Sequence, residues 1–237
     1  MLNLRLLTAA TFALSWGVCG TDGWASPLFV NIIPNKNIER PEDAGRSEAQ
    51  SSRGRVTRLA VRSFHPIHSK PSSNEYTTRK ESRESIVAHR TGVAGDYNHY
   101  RKMSLGNTPD RAISILTTDT LEYLKAHNYP VKAGDLGENI LVDGLKFADF
   151  GPGRIFCIGH GDASVILQVT EPMIACANLC KLPYINEHSL LPRERISKCS
   201  QMIKSLNTEP GLRGWYAKVL REGAINLNAE VIEMRTS

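Results

Sequence analysis

The stretch Ile155-Phe-Cys-Ile-Gly-His-Gly-Asp-Ala-Ser-Val-Ile-Leu-Gln-Val-Thr170 decides the fold class. Two runs rich in β-branched and aromatic residues, Ile155 to Ile158 and Val165 to Thr170, stand on either side of Gly159 and Gly161. That pattern reads as a pair of short strands around a glycine turn. Upstream, Ile140-Leu141-Val142, Asp143-Gly144 and Leu145 to Phe147 carry the two-residue signal for a tight hairpin. Downstream, Trp215 to Leu220 and Ala229 to Met234 flank a turn at Glu222-Gly223, and Ile113 to Leu116 is a further strand candidate. A helix is expected to begin at Asp119, whose carboxylate can cap backbone N–H groups, with Leu121 and Leu124 facing the core and Pro130 ending the element. Pro192 to Leu206 is the other helix candidate, because Ile196, Cys199, Ile203 and Leu206 recur at helical spacing. Many short strands with few helices imply a mainly β fold built on a mixed or closed antiparallel sheet.

The 237 residues include 41% hydrophobic and 22% charged side chains, enough apolar material for one sizeable core. The net charge of +5 is unevenly spread. Ser51 to Asn74 holds four Arg, one Lys and six Ser without an acidic residue, whereas residues 86–237 hold 17 basic and 16 acidic side chains. The folded part is therefore expected to be nearly neutral, which argues against a nucleic-acid partner. Leu4 to Val18 is largely apolar and is followed by Gly20, Gly23 and Ala25, the layout of a signal peptide over residues 1–26. Residues 27–85 carry Pro34, Pro41, Pro66 and Pro71 and no sustained hydrophobic period, so they are expected to be disordered. Their Arg- and Ser-rich middle resembles a transit peptide. Together the two segments suggest a bipartite plastid presequence, with mitochondrial import or secretion as alternatives, and no membrane span after processing. The folded domain is expected over residues 86–237.

Several ordered pieces then point to a family. Gly92-Val-Ala-Gly-Asp96, Arg111-Ala-Ile-Ser-Ile-Leu116, Gly134-Asp-Leu-Gly-Glu-Asn-Ile140, Leu167-Gln-Val-Thr-Glu-Pro172 leading into Cys176, and Gly214-Trp-Tyr-Ala-Lys-Val-Leu220 follow one another in the order and spacing of the MOSC family. The chain resembles that family over about Ile86 to Met234. The resemblance implies a compact β-barrel that binds the molybdenum cofactor, a molybdopterin, or carries sulfur for its maturation. Molybdenum-ion and pyridoxal-phosphate binding belong to the same set of implied properties, and donor or acceptor proteins for cofactor or sulfur would be the partners. Reduction of N-hydroxylated compounds by a molybdenum-dependent enzyme is an alternative, and a non-catalytic thiol interaction module is another.

The residues themselves admit two readings each. Arg111 can clamp a phosphate through its planar fork or be an edge charge. Gly137, Glu138 and Asn139 can hold a polar ligand or lock a turn. Ser114 and Thr170 join Arg111 and the Gly-Glu-Asn element in the cofactor-binding set that the resemblance implies. Cys176 follows a strand end, where a thiolate could bind a soft metal or carry sulfur, although a bare cysteine can equally be a small buried hydrophobe. In the family a Pro precedes this Cys and a basic residue stands two positions further back; here those places hold Ala175 and Met173. Cys176 and Cys180 could form a redox disulfide, or bind zinc with His188 and Cys199. Cys199 falls on the apolar face of the second helix. Too few cysteines are present for a disulfide scaffold. No dinucleotide fingerprint, P-loop or serine-hydrolase elbow is found.

Overall fold

In a computed structural model, residues 53–62 and 78–234 are described, all within the compact unit Ser47–Ser237. Eleven strands appear among them: β1 Arg53–Val61, β2 Glu81–Arg83, β3 Ser85–His89, β4 Gly92–Val93, β5 Ile113–Thr117, β6 Ile140–Asp143, β7 Ile155–Ile158, β8 Val165–Pro172, β9 Trp215–Arg221, β10 Gly223–Asn226 and β11 Glu230–Met234. Three helices accompany them, α1 His99–Ser104, α2 Thr118–Ala126 and α3 Pro192–Leu206. The main sheet runs β11-β7-β8-β9-β5-β6-β1-β2, and β11 also pairs with β1. That last pairing closes seven strands into a barrel. β3, β4 and β10 form a separate three-stranded sheet.

The hydrophobic pattern explains the barrel. Val56, Leu59, Ile113, Ile115, Ile140, Val142, Phe156, Leu167, Val169 and Trp215 belong to one buried cluster. A second cluster joins Leu116, Leu124 and Leu141 to Ala175, Leu179, Leu182, Cys199, Met202 and Leu206, so α2, α3 and the segment between β8 and α3 share a core outside the barrel. α3 has the expected bounds, and Cys199, Met202 and Leu206 form its buried stripe, while Ile196 is 70% exposed. A disulfide joins Cys180 to Cys199 across 19 residues, with the Cα atoms 5.1 Å apart. A loop of that length contributes about 3 kcal/mol in the chain-entropy account. Cys180 is therefore paired with Cys199 and not with Cys176, and neither member is a thiolate for zinc.

Three local expectations change. β7 and β8 pair as the glycine turn implies, but Leu145 to Phe147 is no strand. Leu145 is buried in the core, and the chain then turns through Phe147–Asp149. β6 finds its partners in β5, parallel, and β1, antiparallel. Trp215 to Leu220 and Ala229 to Met234 likewise do not pair with each other, because β9 lies between β8 and β5 and β11 lies between β7 and β1. Thr117, not Asp119, is the residue before α2; the Asp119 carboxylate accepts from the Phe147 N–H.

The largest difference is β1. Arg53 to Val61 falls inside the segment expected to be disordered, yet it is a barrel strand with Val56, Leu59 and Ala60 fully buried. Arg53 and Arg55 point outward on the alternate positions, so an Arg-rich composition here is the solvent face of a strand. β2 and the start of β3 also precede the expected boundary at Ile86. The expected signal segment, residues 1–26, and the remainder of the extension to residue 52 lie outside the described residues.

Burying Val56, Leu59 and Val61 stabilises the barrel by roughly 1.5–3 kcal/mol each, a sum comparable with the whole stability of a small domain. A chain beginning at Ser47 should therefore show one cooperative thermal transition. A chain beginning at Ser82, which lacks β1, should show none by circular dichroism or calorimetry. Equal cooperativity of the two would mean that β1 is dispensable.

Candidate functional site

Ser114, Gly137, Glu138 and Asn139 come together where β5, β6 and β1 meet. Gly137 has φ 87°, in the left-handed region that favours glycine, and a Cβ there would lie 3.1 Å from the Thr78 carbonyl oxygen. This turn aims Asn139 into the structure. The Asn139 N–H meets the Ser114 carbonyl oxygen at 2.9 Å and the Ser114 hydroxyl at 3.0 Å. Its side-chain oxygen accepts from the Ser114 N–H at 3.2 Å and lies 2.9 Å from the Ser114 hydroxyl. Its amide nitrogen donates to the Ala60 carbonyl at 3.1 Å and to Asp96 Oδ2 at 3.0 Å. With 2% exposure, Asn139 spends its polar atoms on the protein.

A buried charge cluster surrounds this lock. Lys80 Nζ donates to Asp96 Oδ2 at 2.7 Å, and Asp96 Oδ1 accepts from the Arg62 N–H at 2.7 Å. Burial alone would raise the Asp96 pKa, but the Lys80 ammonium, the Asn139 amide and the Arg62 N–H outweigh it, so this carboxyl sits below its ordinary range. Glu138 is 1% exposed; its Oε1 accepts from the Gly134 N–H and from Arg58 Nη1, the latter at 3.3 Å. Glu138 Oε2 has no hydrogen-bond partner among the described residues. Burial consequently pushes the Glu138 carboxyl up, against the pull of its backbone bonds and Arg58.

Arg111 and Thr170 form a second group. Arg111 donates twice to Glu171, at 2.5 and 2.9 Å, and its guanidinium lies 5.0 Å from the centre of the Tyr216 ring. Thr170 sits at a register shift between β8 and β9, a bulge, with its hydroxyl 2.6 Å from the Asp110 carbonyl and 3.1 Å from that of Tyr216. Cys176 lies four residues beyond Pro172, the end of β8. It is a free, exposed cysteine immediately before the 3-10 turn Ala177–Lys181.

The loop that presents Cys176 is held on both sides. The Met173 N–H donates to the Gly214 carbonyl at 2.9 Å. Asn207 brackets Ala175, accepting from its N–H at 2.9 Å and donating to its carbonyl at 3.2 Å. Arg213 donates from Nη1 to the Ile174 carbonyl at 2.5 Å and from Nη2 to the Leu136 carbonyl at 3.3 Å. The disulfide anchors Cys180 four residues beyond. Arg58, Lys80, Asn207 and Arg213 are absent from the sequence reading. Arg58 and Lys80 fell in the supposed extension, and nothing in the spacing of Asn207 or Arg213 points to their backbone partners. No group of three or more His, Cys, Asp or Glu side chains able to hold a metal ion occurs among the described residues. None of the described helices is long and apolar enough to cross a membrane.

A closed barrel with a Gly-Glu-Asn lock and an external cysteine loop defines the class. A model of the MOSC domain matches residues 98–232, and the chain belongs to that family, one associated with the molybdenum cofactor. Among solved structures, YuaD from Bacillus subtilis superposes with a TM-score of 0.53 at 14% identity, covering 79% of this chain and 99% of that one. YiiM from Escherichia coli gives a TM-score of 0.47 at 20% identity, covering 77% and 71%. YuaD supports the fold alone. A search of curated proteins finds no match.

The raised pKa of Glu138 has a definite sign. The folded state holds the proton more tightly than the unfolded chain, so the contribution is fully present below the ordinary value of 4.5 and is lost as pH rises through the folded pKa. Glu138→Gln keeps the acceptor for Gly134 and removes the ionisation. Its melting temperature should fall less than that of the parent as pH rises from about 4.5, the gap widening until the pH passes the folded-state pKa. Parallel profiles for parent and variant would show that Glu138 does not titrate as its burial requires.

Proposed function

We propose that the protein acts in molybdenum cofactor metabolism or delivery, using Cys176 either as a soft ligand to a bound cofactor or as the carrier of a sulfur atom. The observation that carries this reading is a free, exposed thiol on a loop whose neighbours on both sides are tied to the protein. Family membership supplies the cofactor class. A metal that arrives already held by an organic cofactor needs only one further protein donor, and a thiolate suits a soft metal. The residues present fit that requirement through Cys176. The cofactor, when bound, would supply the redox chemistry.

The chain's own residues would then divide the work. Cys176 offers the sulfur. Arg111, held by Glu171 and stacked on Tyr216, offers a planar cation to an anionic group if that ion pair exchanges partners. Thr170, at the bulge, would assist at the same rim. Ser114, Gly137 and Asn139, whose polar atoms are bonded within the protein, and Glu138, held by Gly134 and Arg58, would act indirectly by fixing the turn. Molybdenum-dependent reduction of N-hydroxylated compounds would be the catalytic form of the same reading. A non-catalytic thiol module relying on Cys176 with Cys180 is less favoured, because Cys180 is joined to Cys199.

We also propose that the N-terminal region routes the protein to an organelle, a plastid in the first instance. Arg53, Arg55 and Arg58 belong to β1, so this proposal rests on the apolar run Leu4 to Val18 and not on the basic stretch.

Cys176→Ser keeps the side-chain size at an exposed position, so the melting temperature should stay within that expected for about 0.5 kcal/mol. Bound molybdenum, measured by elemental analysis after purification from a host that makes the cofactor, or labile sulfur after persulfidation, should fall at least about tenfold. Retention of both at the parent level would overturn the thiol-centred reading. For the routing proposal, residues 1–52 fused to a fluorescent reporter should direct it out of the cytosol. A diffuse cytosolic signal would refute it.

A further inference from the structure

We infer that Arg213 is the positioning residue that couples the Cys176 loop to the Gly137-Glu138-Asn139 turn, so that the two parts of the proposed site keep one geometry. This rests on the reading of Cys176 given above. Arg213 lies in the connection from α3 to β9 and is 6% exposed. Its two terminal nitrogens go to different places: Nη1 to the Ile174 carbonyl, two residues before Cys176, and Nη2 to the Leu136 carbonyl, immediately before Gly137. One rigid guanidinium thus spans both segments. A planar fork fixes the separation and angle of its two acceptors, which a lysine ammonium on a flexible stem does not do.

The position of Arg213 is itself over-determined. The Leu212 carbonyl before it accepts from the Thr120 hydroxyl on α2 at 2.8 Å. The Gly214 carbonyl after it accepts from the Met173 N–H. Gly214 has φ 110°, and a Cβ there would collide with the Ile115 carbonyl oxygen on β5. The Arg213 backbone is therefore pinned between α2, β5 and the end of β8. Its side chain is also a costly choice for a plain staple. No carboxylate pairs with Arg213 among the described residues, and its buried Nε has no hydrogen-bond partner among them. A neutral amide could serve one carbonyl without burying a charge. An amide carries its two N–H donors on one nitrogen, whereas the guanidinium fork sets donors on two separate nitrogens at a fixed spacing, and these are the atoms that hold the Ile174 and Leu136 carbonyls.

The coupling is tested in the full chain by amide hydrogen exchange read by mass spectrometry. Arg213→Met should accelerate exchange about tenfold in residues 133–140 and in 172–179 together, while β7 and β11 keep parental rates. Arg213→Lys, which retains charge and stem, guards against a folding failure and should restore protection in one segment at most. A second measurement isolates the link to Cys176. Alkylating that thiol with N-ethylmaleimide should alter exchange in residues 133–140 of the parent, but not in Arg213→Met, nor in Cys176→Ser treated in the same way. Acceleration spread evenly over the barrel, acceleration in only one of the two segments, or an alkylation effect that survives in Arg213→Met would each overturn the inference. None of these readouts requires bound cofactor, so failure of the cofactor reading would show in the metal analysis and leave these results unchanged.

Discussion

The structure depends on the closure of the barrel at β1. Arg53 to Arg55 pair with β11 on one side, and Arg55 to Leu59 pair with β6 on the other. Without that strand both neighbours would present open edges, and the interior residues Val142, Ile140 and Val231 would lose the wall they pack against. The same strand delivers Ala60, whose N–H and carbonyl are both bonded to Asn139. Closure of the fold and construction of the polar lock are therefore one event. The lock in turn sets where the turn at Gly137 lies.

A division of labour follows from burial. Ser114 and Asn139 form an interior network whose members satisfy one another, while Glu138 beside them is held through one oxygen by Gly134 and Arg58. The groups left at the surface are Arg111, paired with Glu171, and the thiol of Cys176. Backbone bonds from Asn207, Arg213 and Gly214, together with the disulfide to α3, hold the thiol's loop to the second hydrophobic cluster. An exposed thiol on a segment anchored in this way suits the role proposed for Cys176.

The departure from the family at Met173 and Ala175 acquires a physical meaning in this setting. Both side chains are buried, Met173 at 4% and Ala175 at 5% exposure, and Ala175 packs in the cluster that contains α3. A basic side chain at position 173 would have to leave that environment, so in this protein the loop is held by apolar packing and by Asn207.

The sequence by itself determined the elements whose signals are local. The glycine turn between β7 and β8, the strand at Ile113, the buried stripe of α3 and the ordered family motifs were all legible, because each is a pattern within a few neighbouring residues. Tertiary structure alone decided the pairings that join distant segments. Asp143-Gly144 looks like a hairpin turn, but β6 gains more by lying between β5 and β1 than by folding back on Leu145, which the core takes instead. Arg53 to Arg58 reads as a targeting sequence until a curved sheet supplies an inside for Val56 and Leu59 and an outside for the arginines. The partner of Cys180 and the two carbonyls held by Arg213 are likewise set by approach in space. Cysteine spacing carries no information about which sulfur lies 19 residues away across a packed helix, and a backbone carbonyl has no identity in the sequence.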